Sequence, residues 1–255
     1  MNVDEIRALK GKRKIAMLTG YDCQIAKILD EVGIDIILVG DSLGQVVQGY
    51  EDTKSVTLED VLYHTRAVSR GAEKTLIVSD MPIHTYDNPE EALDNAHRFL
   101  KAGAHAVKLE GNHREVISTL IKDKIPVMGH IGLLPQTAER FQVKGKTPEQ
   151  ADKLWRDSLE LDKLGVFSIV VECVPEWLAR KITVDVKAPT IGIGAGKYCD
   201  GQVLVINDLL GLDNSPPPKF VKRFANLKEE IKVAVQQYIE EVKSGSYPDS
   251  KHTYH

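Results

Sequence analysis

The sequence predicts an α/β protein, a (β/α)8 (TIM) barrel, on three observations: eight short aliphatic runs, amphipathic segments between them, and a length suited to one such domain. The runs are KIAMLTG (14–20), IDIILVGD (34–41), TLIVSD (75–80), AVKLEG (106–111), IPVMGHIG (125–132), SIVVECV (168–174), PTIGIGAG (189–196) and QVLVIND (202–208). Runs rich in β-branched and aliphatic residues, alternating with amphipathic stretches, signal buried parallel strands linked by crossover helices. Eight is the number a closed barrel takes, and the chain's 255 residues match the roughly 250 such barrels use as one domain.

The expected outer helices carry start signals. Thr57 precedes LEDVLYHTRAVSRG with Asp60 three residues on, a variant capping box, and Asn88 is followed by Pro89 at a first-turn position. Further helices fit 24–32, 113–122, 147–164 and 175–186, and a long polar amphipathic one fits 220–244. The segment SPPPK (215–219) interrupts before that last helix. It reads as a linker within the fold, because about 25 residues beyond it cannot bury a core of their own. Residues 1–255 are therefore expected to form a single barrel domain with a C-terminal helical extension from about 220.

Two stretches strain this pattern. Only GKYCDG (196–201) separates the last two strand candidates, too short for a crossover helix, so either the pair is joined irregularly or one strand is wrong. The 14 residues LLPQTAERFQVKGK (133–146) make an unusually long strand-to-helix loop, a candidate lid.

Bulk composition narrows the function classes. Hydrophobic residues at 42% and charged residues at 27% suit a globular protein with a packed core. A formal net charge of -4 and the lack of a basic run speak against nucleic acid as partner, so an anionic ligand needs local positive groups. Three cysteines, Cys23, Cys173 and Cys199, without CxxC or Cys/His spacing argue against a disulfide framework and a zinc site, and point to reduced thiols in the cytoplasm. No apolar stretch reaches the roughly 18 residues of a spanning helix, and the N-terminus lacks an apolar signal region.

In a barrel of this kind the active site lies where the strands end, so ionisable residues closing apolar strands need a chemical reason. Asp41, Asp80, Lys108 with Glu110, His130 and Glu172 all sit there. A period of two puts Val39 with Asp41, Val78 with Asp80, Lys108 with Glu110, and Val170 with Glu172 on shared faces that can turn to the axis. Four carboxylates meeting one lysine and one histidine in a partly dry cup are costly unless a cation neutralises them. Oxygen donors without paired cysteines suit Mg²⁺ or Mn²⁺, with Asp41 and Asp80 as direct ligands and Glu110 acting through water. Plainer roles stand beside these. A strand-end aspartate can be a helix cap, as can Ser42 or Thr85; Lys108 and Glu110 can form a rim ion pair, and His130 a core hydrogen bond. The run IGIGAG (191–196) can cradle a phosphate or simply let the backbone approach a flat ligand.

These stretches together resemble one family. LTGYD (18–22), ILVGDSLG (37–44), VTLEDVLYHTRAV (56–68), SDMP (79–82), VKLEG (107–111), PVMGHIGLLPQ (126–136), VVECVP (170–175) and IGIGAGKYCDGQVLV (191–205) are similar, in this order, to ketopantoate hydroxymethyltransferases. The resemblance spans about Lys14 to Phe220. It implies a barrel of the phosphoenolpyruvate and isocitrate lyase superfamily, assembled as a homodecamer. It further implies Asp41 and Asp80 as Mg²⁺ ligands, Ser42 as a substrate-carboxylate contact, Lys108 as the substrate-binding lysine, Glu110 as the outer metal carboxylate, Glu172 as general base, and His130 as a pocket residue. The chain departs from the family pattern in IHTY (83–86), where a small residue and serine are common, and in a shorter lid, RFQVKGK (140–146), with Lys144 in place of glutamine. Every residue given a catalytic role is intact.

The activity so implied is transfer of a one-carbon unit from methylene-tetrahydrofolate, a cosubstrate, to 3-methyl-2-oxobutanoate. Mg²⁺ would act as Lewis acid on the chelated oxo acid, Glu172 would take the C3 proton, and Lys108 would face the developing oxyanion. Rival readings are a Schiff-base aldolase using Lys108, a carbon-carbon lyase of the same superfamily, and a non-catalytic barrel that binds an oxo acid.

Overall fold

The structure, a computed structural model, describes residues 1–212 and 217–254. In chain order the elements are α1 (Val3–Ala8), β1 (Ile15–Thr19), α2 (Cys23–Glu31), β2 (Ile36–Val39), α3 (Leu43–Val46), α4 (Leu58–Ser69), β3 (Leu76–Asp80), α5 (Pro89–Lys101), β4 (Ala106–Lys108), α6 (Arg114–Lys122), β5 (Val127–Gly132), α7 (Pro148–Leu164), β6 (Ser168–Glu172), α8 (Glu176–Asp185), β7 (Thr190–Ile193) and β8 (Gly201–Leu204). Then come α9 (Ile206–Leu210), α10 (Leu227–Ser244) and a single 3-10 turn, Ser250–His252. The eight strands close a barrel in sequential order, every pair parallel, from β1 beside β2 round to β8 beside β1.

Helix starts follow the local chemistry. Thr57 and Asp60 close a complete capping box on α4, each side chain accepting from the other's backbone N–H. Asn88 caps α5 with Pro89 in its first turn. A second capping box, Asn2 with Glu5, starts α1, too short a helix to show a period in the sequence.

One cluster fills the barrel axis: Ile15, Met17, Ile36, Leu38, Leu76, Val78, Ala106, Met128, Val170, Ile191 and Val203, joined by Ile6 of α1 and by Phe167. The axial positions carry on towards the strand ends as Asp80, Lys108, His130 and Glu172, two residues beyond Val78, Ala106, Met128 and Val170. On β2 the expected pairing of Val39 with Asp41 is corrected. Ile36 and Leu38 belong to the axial cluster and Val39 does not. The next inward position is Gly40, where an added Cβ would lie 2.8 Å from Ser42 Oγ and 3.4 Å from Asp80 Oδ2. Asp41 enters the cup from the turn after the strand.

The seventh and eighth strands are both real and are joined irregularly. Ile191 pairs with Gly201 and Gly192 with Gln202, and the residues between cross without a helix. The glycines of this seam have packing reasons: a Cβ on Gly201 would meet the Ile15 carbonyl oxygen at 2.5 Å, and one on Gly192 would meet Cys199 Sγ at 3.1 Å. Neither reason involves a phosphate. The run 202–208 is a strand only as far as Leu204, because Ile206 opens α9.

Backbone contacts divide the chain into two compact units, Met1–Val205 and Ile206–His255. In the second, Phe224 N–H donates to Leu209 O at 2.8 Å, and α10 ends in a left-handed Gly245. Ser215 and Pro216 of the expected linker lie outside the described residues. Among the described residues, no helix is long and apolar enough to cross a membrane.

Candidate active site

The structure brings Asp41, Asp80, Lys108, Glu110 and His130 together at the strand ends, all buried, with Glu172 beside them and its side chain 13% exposed. Register does much of this, since Asp80 and Lys108 are direct partners across the β3–β4 ladder and Glu172 partners Gly132 across β5–β6. Lys108 Nζ makes an ion pair with Asp80 Oδ1. The rim pair of Lys108 with Glu110 therefore gives way to a pair across strands. Asp80 Oδ2 accepts from the Asp41 backbone N–H at 3.1 Å.

No helix cap claims these carboxylates. Ser42, not Asp41, stands at the start of α3, and it makes no capping bond. The Ser42 hydroxyl instead pairs with Tyr21 Oη at 2.8 Å. Thr85 Oγ1 donates to Pro82 O. His130 Nε2 lies 3.1 Å from Glu172 Oε2 and Nδ1 lies 3.6 Å from Glu110 Oε1. Nδ1 is beyond hydrogen-bond reach of Glu110, while Nε2 faces the Glu172 carboxylate, which works against burial at the imidazole.

A residue not expected from the sequence completes the cup. Gln136, from the 133–146 loop, donates from Nε2 to Asp41 Oδ2 at 2.8 Å and to Met81 O at 2.9 Å. Its backbone N–H donates to Glu110 Oε2 at 3.1 Å, and its side-chain Oε1 accepts from Tyr86 Oη. It closes the motif PVMGHIGLLPQ (126–136), in which it is given no role of its own, and the length of the loop is the other signal.

The electrostatics follow from crowding carboxylates in a dry place. Burial, then Asp80, lifts the Asp41 carboxyl to about 7. Burial also lifts Glu110, to about 9, with Asp41 and Asp80 adding to the effect and Lys108 opposing it. Burial pulls the Lys108 ammonium down, but Asp80, Asp41 and Glu110 outweigh it and its pKa is raised. The lysine is held charged. Burial lowers the His130 imidazole in spite of Glu172.

The donor set suits a hard divalent cation. Two buried aspartates tied to each other, oxygen-only chemistry and one lysine against four carboxylates leave a negative excess that a cation would offset. Among the described residues, no three or more His, Cys, Asp or Glu side chains are grouped to hold an ion directly. Asp41 and Asp80 would be its direct protein ligands.

Above the cup, the loop is pinned at both ends to the close of β6. Leu133 N–H donates to Glu172 O at 2.9 Å and Lys144 N–H to Cys173 O at 2.8 Å. Cys173 is left-handed, φ 47°, and Gly132, φ 105°, leaves no room for a side chain, since a Cβ there would sit 2.1 Å from Glu172 O. A groove of about 440 Å³ lies against this loop, with Gly132 at its wall and Arg140 and Lys144 among its lining.

A model of the family described as ketopantoate hydroxymethyltransferase matches residues 1–250. The chain belongs to the ketopantoate hydroxymethyltransferase family. Relatives agree: the 3-methyl-2-oxobutanoate hydroxymethyltransferase of Syntrophus aciditrophicus is 52% identical over 257 residues, covering 98% of this chain and 94% of the relative. The protein of that name from Thermotoga neapolitana is 51% identical and covers 100% of this chain and 96% of its own. Among solved structures, a phosphonopyruvate hydrolase complex with oxalate and Mg++ aligns with a TM-score of 0.66 at 11% identity, over 99% of this chain and 93% of that one. A 2,3-dimethylmalate lyase, titled a PEP mutase/isocitrate lyase superfamily member, aligns at 0.62 and 15%, over 98% and 91%. At such identities these two speak to the fold alone. Membership of the ketopantoate hydroxymethyltransferase family makes the chain an enzyme of the transferase class, as the sequence motifs imply.

Proposed function

We propose that the chain transfers a hydroxymethyl group from 5,10-methylenetetrahydrofolate to 3-methyl-2-oxobutanoate, giving 2-dehydropantoate (ketopantoate) and tetrahydrofolate in pantothenate and coenzyme A biosynthesis. The observation that carries this reading is the buried meeting of Asp41, Asp80, Lys108 and Glu110 beside Glu172, in a chain matched by the family over residues 1–250. A divalent cation, Mg²⁺ by donor chemistry, held by Asp41 and Asp80 with Glu110 behind water, would supply Lewis-acid polarisation of the oxo acid.

The remaining roles belong to side chains. Glu172, the most exposed carboxylate of the group, removes the C3 proton. Lys108, held charged, faces the oxygen on which negative charge develops. Ser42 donates to the substrate carboxylate, and His130 lines the pocket between Glu110 and Glu172. The enolate carbon then bonds to the one-carbon unit of the folate, the bond from that carbon to the folate nitrogen breaks to release tetrahydrofolate, and water supplies the hydroxyl oxygen. The groove bearing Arg140 and Lys144 offers cationic contacts to the anionic glutamate tail. The Schiff-base alternative is disfavoured, because an amine bound to Asp80 and kept protonated is a poor nucleophile.

The chain is read as one barrel domain with a C-terminal helical extension, acting as a homodecamer. Three free cysteines, two of them buried, support a reducing compartment, the cytoplasm. The deciding experiment is an assay with the oxo acid, methylene-tetrahydrofolate and Mg²⁺, with and without EDTA, product identity read by mass spectrometry. Ketopantoate formed only without chelator is expected; turnover that survives chelation would overturn the metal-assisted route. Mass measurement in solution tests the decamer.

A further inference from the structure

Gln136 is 1% exposed, although Thr137, Glu139, Arg140 and Phe141 of the same loop are exposed. Its backbone N–H and side-chain amide each engage a hydrogen-bond partner in the cup. The backbone N–H holds one oxygen of Glu110, and the side-chain amide holds one oxygen of Asp41. The second amide bond, to Met81 O, and the one received from Tyr86 Oη fix which way the amide faces. Reversed, the group would set a carbonyl against the Asp41 carboxylate and leave Met81 O without its donor. Thus a loop residue far along the chain from the strand-end carboxylates decides which oxygen of each stays free to meet a ligand.

We propose that Gln136 is a positioning residue: it orients the Asp41 and Glu110 carboxylates for the divalent cation and ties that orientation to the seating of the 133–146 loop. This rests on the reading of Asp41 and Asp80 as cation ligands. The physical basis is that a carboxylate has two equivalent oxygens and rotates freely unless one is held. Losing an outer partner that orients a ligand typically weakens metal affinity about 10- to 100-fold. Tyr86 acts one step further out, through the amide. The loop that offers contacts to the second substrate would then be seated by the same bonds that prepare the cation site.

The test is Mn²⁺ binding to metal-free protein, followed by loss of the free-ion electron paramagnetic resonance signal, for the unsubstituted chain and for Gln136→Met. Methionine keeps length and bulk but donates nothing. The expected result is Mn²⁺ affinity about 10- to 100-fold weaker, with kcat falling alongside it. A purely structural role would lower the melting temperature and leave Mn²⁺ affinity unchanged, and that outcome overturns the proposal. Should Gln136→Met not fold, Tyr86→Phe, which removes one oxygen and keeps the ring, carries the same test with a several-fold weakening expected and unchanged affinity overturning it. An unsubstituted chain that binds no Mn²⁺ sinks the cation reading itself, a failure distinct from a Gln136→Met protein that binds it normally.

Discussion

The backbone N–H of Asp41 donates to Oδ2 of Asp80 at 3.1 Å, so the turn that ends the second strand is built on the side chain that ends the third. The two carboxylates are therefore one unit. Asp80→Ala should unseat Asp41 as well as remove a carboxylate. We expect kcat/KM of Asp80→Ala and of the double variant Asp41→Ala/Asp80→Ala to agree within about tenfold, the mark of coupled neighbours. Losses that simply multiply would show the two act separately.

Glu172→Gln keeps shape and removes the carboxylate proposed as base. Exchange of the C3 hydrogen of the oxo acid with deuterated solvent, followed by nuclear magnetic resonance without folate, should slow about 10²- to 10⁴-fold. An unchanged exchange rate removes Glu172 from the role.

Chelated protein should lose stability as pH rises from about 6.5, above which His130 no longer opposes, to about 9. Asp41, lifted from 3.8 to about 7, and Glu110, lifted from 4.5 to about 9, hold protons more tightly folded than unfolded. Their stabilising contribution is present at low pH and fades as pH climbs through those values. His130, lowered from 6.5 by burial, works the other way below that value. Comparing melting temperatures of the unsubstituted chain and Asp41→Asn in EDTA isolates the aspartate, and the variant should show the shallower fall. A steeper one would contradict the burial argument.

Gly132→Ala should cost about 3 kcal/mol or more, because it joins a left-handed backbone to a Cβ that would sit 2.1 Å from the Glu172 carbonyl oxygen. Denaturant unfolding reads this directly. Gly11→Ala, equally left-handed at φ 71° but with nothing within 4 Å, should cost far less.

Arg140→Gln with Lys144→Gln should raise KM for methylene-tetrahydrofolate about tenfold while leaving KM for the oxo acid and folate-free C3 exchange unchanged. Equal effects on both substrates would show that these cations do not contact the folate.

Much of this was legible in the sequence, and what was not has physical causes. Asp80, Lys108, His130 and Glu172 continue the two-residue period of their strands, so pattern alone leads to them. Asp41 was found by its place at a strand end, but Gly40 breaks the alternation and delivers it by another route. Gln136, Tyr86 and Tyr21 belong to no periodic element that would mark them as buried polar partners. The four-residue α3 is too short to show a period, and the apolar run 202–208 hides the change from β8 to α9 because strand and buried helix look alike over so few residues.

The stems of the 133–146 loop land on consecutive carbonyls, Glu172 O and Cys173 O. With both feet planted on neighbouring rungs, the arch between them can be lengthened or trimmed without tugging either foot, and closing it costs only slowly more as it grows. A shortened arch thus changes what leans over the mouth of the barrel while Glu172 beneath keeps its footing.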